Sequence, residues 1–301
     1  MRDPKGLLSQ KELFEQYRCA QEHELSTFHF SSIFLWQDFF DFEFERIDQS
    51  LCIFAHQKGA CFLYLPPLTK KLETFVVERS FEKMNKINPK TARIENLEKK
   101  DLQFFEDTYK SYAKSSEYVY NKEDLIQLKG QVYKSQRHDI HHFQLHHQGL
   151  FRPYEETDLK HCLSLYEDWA KDRYEKHTDE IYRSMLEENR IVHELALIYH
   201  KPLELLAYVV EINKKIVTYS LGYMLNSKTF CVLLEIADVS ITGLNAFVFN
   251  RVCASKDLKE ISLINTMDDF GMPFVASSKQ AYHPAYKPVS YTINQIKLNE
   301  N

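Results

Sequence analysis

The sequence predicts a two-domain protein of mixed α/β class. Three observations carry this: the chain length, the alternation of strand-like with helix-like segments, and a restart of that alternation near the middle. At 301 residues the chain is about twice the usual size of one domain. Hydrophobic residues make up 44% and charged residues 27%, which fits a packed core rather than a disordered chain.

In the first half, residues 11–21 have helical spacing and an aromatic run follows over 28–44. Strands are expected at 51–54 and 60–65, joined by a hairpin over Gln57-Lys58-Gly59. Pro66-Pro67 ends the second strand, because proline cannot donate to a ladder. A helix over 72–85, a strand over 92–97, a helix over 102–111 and a strand over 118–120 come next. Residues 123–142 predict one long helix with Asn121 at its N-cap.

The second half starts with a strand at 149–153 and a helix at 155–170, with Thr157 and Asp158 near its start. A helix at 179–188 leads to strands at 205–212 and 216–224 around the turn Asn213-Lys214-Lys215. A third strand at 230–236, a helix at 242–254, a strand at 261–265, a helix at 274–281 and a strand at 290–296 complete it. The domains are accordingly expected to be 1–147 and 148–301.

Composition narrows the function classes. The net charge of −5 gives no global attraction to nucleic acid or anionic lipid, so either partner requires a local basic patch. Lys83, Lys86, Lys90, Lys99 and Lys100 offer a modest one, although such lysines equally suit a solvated face. No apolar run approaches the roughly 20 residues of a membrane helix, so no transmembrane segment is expected. The start Met1-Arg2-Asp3-Pro4-Lys5 is charged and unlike a secretory signal. Six scattered cysteines without a C-x-x-C pair read as reduced, mostly buried thiols and a cytoplasmic setting. There are 7 glycines, too few to favour a glycine-rich phosphate loop. No nucleophile elbow, P-loop or HEXXH motif is present.

The order strand, two helices, three-stranded meander, helix, strand, helix, strand resembles the GNAT acyltransferase superfamily, and the blurrier first half implies two tandem domains of that kind. The segments LLEIADVSITGLNAFVFNRVCAS and ISLINTMDDFGMPFVASSKQAYHPAYKPVSYTI are similar to the phosphatidylglycerol lysyltransferase C-terminal-domain family. HFSSIFLWQDFFDFEF, FLYLPPL and SEYVYNKEDLIQLKGQVYKSQRHDIHHF agree with it, so the resemblance covers nearly the whole chain. It implies transfer of an acyl or aminoacyl group to an amine, a hydroxyl or a lipid head group. The donor implied is aminoacyl-tRNA or acyl-CoA. Family positions retained are Tyr120, Leu128, Gly130, Arg137 and Phe143, then Glu235, Ala237, Asp238, Gly243, Asn265, Asp269, Gly271, Lys279, Tyr282 and Pro284. The family pattern is broken at Gln136, His138, Ile236, Met267 and Val275-Ala276, a net loss of three basic groups and one acid.

Acyl transfer needs a base, donors for an oxyanion and a proton for the leaving group. Glu235, Asp238, Asp268 and Asp269 follow strands that would be neighbours, so they are expected to share a cleft. Glu235, Asp269 and Tyr282 are the expected catalytic groups, and Arg137, Asp238, Asn265 and Lys279 the expected substrate contacts. The same acids equally suit caps or solvated loops, the lysine and arginine a helix surface, and the tyrosine packing. The turn 238–245 holds one glycine and no basic lead residue, a poor cradle for the pyrophosphate of acetyl-CoA. His138, His142 and His146 have the one-turn spacing that can hold zinc. No nearby glutamate completes a motif, so no metal is expected. A non-catalytic scaffold that binds a metabolite or partner is the competing expectation.

Overall fold

A computed structural model describes residues 6–106, 108–176 and 178–295. The charged start Met1 to Lys5 and Ile296, the end of the last expected strand, lie outside the described residues.

Along the chain come α1 (Lys11–Arg18), α2 (Ser31–Phe34), β1 (Asp41–Ile47), β2 (Ser50–Gln57), β3 (Ala60–Leu63), α3 (Thr74–Ile87), β4 (Ile94–Leu97) and β5 (Tyr109–Ser116). Then follow β6 (Val119–Asn121), α4 (Lys122–Gln127), α5 (Lys134–His146), β7 (Leu150–Pro153), α6 (Leu159–Lys176) and α7 (Glu180–Ile198). The meander β8 (Leu206–Ile212), β9 (Lys215–Met224) and β10 (Thr229–Ala237) leads to α8 (Leu244–Cys253), β11 (Leu263–Asn265), α9 (Pro273–Gln280) and β12 (Val289–Gln295).

Two compact units result. The first holds the chain up to Tyr118 with Met267–Ala276 and the stretch from Tyr286 onward; the second holds Val119–Thr266 and Ser277–Ala285. The boundary expected at 147/148 falls inside the second unit, because β6 pairs with β11 and both α4 and α5 pack on α8.

The first unit is built on a mixed sheet of order β1-β2-β3-β4-β12-β5. Its three-stranded meander continues into β4 parallel to β3, and β12 pairs antiparallel with both β4 and β5. One face is covered by α3, whose Val76, Val77, Phe81 and Met84 repeat at helical spacing and bury against Phe54, Phe62, Ile94 and Ile293. The expected hairpin turn forms with Lys58 and Gly59 both at positive φ (46° and 78°), which matches the twist of the paired strands.

The second unit carries a mixed sheet of order β6-β11-β10-β9-β8-β7, all antiparallel except β10 with β11. β9 is buried at eight consecutive positions, since α6 and α8 both pack on it, as expected of a strand covered on both faces. Arg152 ties β7 to the next helix start through two bonds to Asp158 (2.7 and 2.8 Å) and one to Glu211 (3.1 Å).

Two expectations are corrected, and one strand goes beyond them. Residues 102–111 do not form a helix: a 3-10 turn over Lys99–Phe105 gives way to β5, which finds its partner in the distant β12. Within the aromatic run, β1 forms as the edge partner of β2. The long helix 123–142 is two helices, because Leu128 (φ 47°) and Gly130 (φ 88°) are left-handed and break the ladder. Asn121 stands at the N-cap of α4 but makes no capping bond. Five of the six cysteines are buried, Cys19 being exposed. No helix among the described residues is long and apolar enough to cross a membrane.

Candidate active site

The sheet of the second unit is irregular at one place. β10 slips register against β9 between Val232 and Leu234, so one residue bulges from the ladder. Gly222 on β9 permits the close approach there: a Cβ would lie 2.3 Å from the Cys231 carbonyl oxygen. β10 pairs with β11 only over Thr229 to Cys231. Beyond Cys231 that edge of β10 has no strand partner among the described residues, and residues 233–235 are partly exposed while the rest of the strand is buried.

Glu235 lies on this unpaired stretch, opposite Ser220 of β9. The residue keeps some surface, but its carboxyl group is enclosed and receives a bond from the Ser220 hydroxyl. Its Oε2 is sealed from solvent and has no hydrogen-bond partner. Burial raises the carboxyl to about 8, only partly opposed by Ser220. Close by are Cys253 at the end of α8 and Tyr282 after α9. Burial and then the Glu235 charge raise both. The Tyr282 ring meets Phe249 edge-on at 5.0 Å. A carboxyl with one vacant acceptor and a phenol thus share one neighbourhood. Asp139 of α5 also acts on Tyr282.

The other expected contacts of this unit are mostly committed to structure. Asn265 is fully buried between Cys231 of β10 and Val119 of β6. Lys279 donates to the Thr266 carbonyl, and its own carbonyl accepts from the Tyr120 hydroxyl at 2.9 Å. The Asp238 carboxylate accepts from the Ser240 amide (3.0 Å) and hydroxyl (2.6 Å), closing its own turn. Arg137 donates to the carbonyls of Leu128 and Gly130. The retained positions Leu128, Gly130 and Arg137 therefore form one joint between α4 and α5, and Phe143 packs on Phe247 of α8 at 4.5 Å. Gly243, left-handed at φ 81°, brings the start of α8 against the Asp139 carbonyl.

Asp269 does not belong to this unit. It lies in the first, where Oδ2 accepts from the Tyr118 hydroxyl at 2.6 Å and Oδ1 from the Gly271 amide at 2.9 Å. With both oxygens engaged it has the contacts of a brace on the loop that carries left-handed Met267, Phe270 and Gly271. Asp269→Ala is expected to lower stability by about 1–3 kcal/mol and Tyr118→Phe by less, read as urea midpoints. Equal midpoints for wild type and Asp269→Ala would remove the brace.

His138, His142 and His146 do line up on α5, with the last two rings stacked 4.3 Å apart. No group of three metal-binding side chains forms among the described residues. Reading the sequence alone missed Ser220 and Cys253, which carry no signal beyond a strand alternation and an apolar helix. The bulge itself has none.

A family model described as phosphatidylglycerol lysyltransferase, C-terminal, matches residues 20–293. The chain belongs to this family. No curated protein matches it. Among solved structures, a conserved protein of unknown function from Bacteroides thetaiotaomicron is 20% identical with a TM-score of 0.84, covering 96% of this chain and 97% of its own. L-PGS from Bacillus licheniformis is 12% identical with a TM-score of 0.65, covering 94% and 91%. FemX is 8% identical with a TM-score of 0.65, covering 96% of each. At these identities the likeness is one of fold.

Proposed function

We propose that this member of the family is an aminoacyltransferase whose reaction centre lies at the β10 bulge of the second unit. The observation that carries the reading is the enclosed Glu235 carboxyl, with an unpartnered Oε2, in the neighbourhood of the Tyr282 phenol. Glu235, raised to about 8, is placed to take a proton from the nucleophile near neutral pH. Tyr282, held neutral by burial and nearby acids, gives a proton to the departing oxygen. The unpaired edge of β10 beyond Cys231 leaves backbone amides for the developing oxyanion. Asn265 and Lys279 hold the β11 end and α9 in place around these groups, and Arg137 holds α5.

Aminoacyl-tRNA is the donor this reading favours over acyl-CoA. The turn before α8 is filled by the Asp238 carboxylate, and Gly243 serves helix packing against Asp139. A pyrophosphate there meets negative charge and occupied amides. The tandem-domain description and a cytoplasmic setting go with this reading as parts of the same proposal.

The test incubates the purified chain with mixed 14C-aminoacyl-tRNA or 14C-acetyl-CoA, each with a cell extract freed of nucleic acid. Label is expected to leave the tRNA for a small or lipid component, and acetyl-CoA to stay intact. A folded protein that moves label from neither donor defeats the proposal. It would leave the scaffold reading, which Ile236, buried on β10 where the family pattern has a lysine, favours.

A further inference from the structure

We infer that the Glu235 site receives an alkylammonium group, so that the nucleophile is a primary amine and the product an amide. This rests on the transferase reading above and specifies its acceptor.

The first argument is the vacant acceptor. Glu235 is enclosed, Ser220 supplies one donor, and Oε2 has none. A buried acceptor without a donor is destabilising, and an incoming N–H group removes that penalty. The second argument is the sign of the surroundings. The carboxylates acting on Tyr282 are Glu235 and Asp139, and Cys253 feels Glu235 with Lys122 opposing it. Lys122 is itself bonded to the Leu258 carbonyl, as Lys279 is to Thr266 and Arg137 to Leu128 and Gly130. Lys122, Lys279 and Arg137 are thus committed to backbone carbonyls, and no cation is among the groups acting on Glu235. A cation is drawn to such a place and a phosphate ester is not.

Proton affinity supports the same choice. An alkylammonium loses its proton near 10.4, about two units above Glu235 at about 8. A hydroxyl like that of water, near 15.7, is roughly eight units away. The ammonium is therefore the easier acid for this base, by about five units.

The step balances as follows. R–NH3+ gives one proton to Glu235 and becomes the free amine. Its nitrogen lone pair forms the N–C bond to the ester carbonyl of the donor, and the C–O bond to the donor ribose breaks with its electron pair leaving on oxygen. Tyr282 supplies the proton to that oxygen and is refilled by the second proton of the nitrogen. Glu235 returns its proton to solvent, so one proton is released per amide formed.

The test titrates the full chain calorimetrically with hexylammonium chloride and with hexan-1-ol. Groups facing Glu235 are Ser220 on β9, Cys253 on α8, Tyr282 after α9 and, through Tyr282, Asp139 on α5. Hexylammonium is expected to bind tightest near pH 9, where the carboxylate and ammonium are both charged. Its affinity should fall at least tenfold at pH 6 and at least tenfold in Glu235→Gln, checked for native melting. Equal affinity for the alcohol, or an unchanged affinity in Glu235→Gln, overturns the inference. In the transfer assay, aminoacyl-tRNA with hexylamine should give an alkali-stable amide and hexan-1-ol should give none. Ester formation alone overturns the amine assignment while leaving the transferase reading intact. Ammonium binding without transfer from any donor supports the site and defeats the transferase.

Discussion

Glu235→Gln is expected to lower transfer by about 10²–10⁴-fold while making the protein more stable in alkali. The two effects have one cause. The enclosed carboxyl titrates at about 8 instead of near 4.3 as in an unfolded chain. Between those values the native state holds a proton that the unfolded state has lost, so stability falls as pH rises through that window. By about pH 9 the accumulated penalty is roughly 4–5 kcal/mol. Glutamine cannot ionise and escapes it, though an unsatisfied amide in the same position costs about 1–3 kcal/mol. The variant should therefore melt higher than wild type at pH 9 and no higher at pH 5. Wild-type turnover should rise with pH toward a plateau above about 8, and the residual turnover of the variant should lack that limb. A wild-type melting temperature that does not change between pH 5 and pH 9 would show that the carboxyl is solvated. The base assignment would then fall.

Gly243→Ala should be the most damaging substitution by one methyl group. Its Cβ would stand 2.0 Å from the Asp139 carbonyl oxygen and 2.8 Å from that carbonyl carbon, both rigid backbone. The φ of 81° adds about 1–2 kcal/mol for a residue with a side chain, and the overlap about 1–3 kcal/mol. Gly271→Ala is the control, since it shares the left-handed backbone (φ 69°) but meets nothing within 4 Å. It should cost only the conformational part. Urea midpoints separate the two. Because α8 carries Phe249 and Cys253 beside Tyr282, Gly243→Ala should also depress transfer. Equal midpoints for the two variants would mean that α5 and α8 separate freely at Gly243.

The hairpin at Lys58-Gly59, the meander β8 to β10 and the helices of the second half were legible because their signals are local. Turn residues, proline stops and the spacing of apolar side chains act within a few positions of one another. Glu235 and Tyr282 were legible as candidates through the family resemblance. The unit to which Asp269 belongs was not legible, for a physical reason: following a strand in sequence does not say which unit its loop joins.

From the residues alone came the α/β class, the order of most elements and the family. The folded chain decided the rest. Whether 109–116 was helix or strand depended on β12, more than 170 residues away. The break at Leu128 and Gly130 shows in dihedral angles held by Arg137 from the following helix. The enclosure of Glu235 depends on a bulge that Gly222 admits from the neighbouring strand. Periodicity states which face of an element is apolar, but a partner far along the chain determines what that face meets, and so which acid is shut away from water.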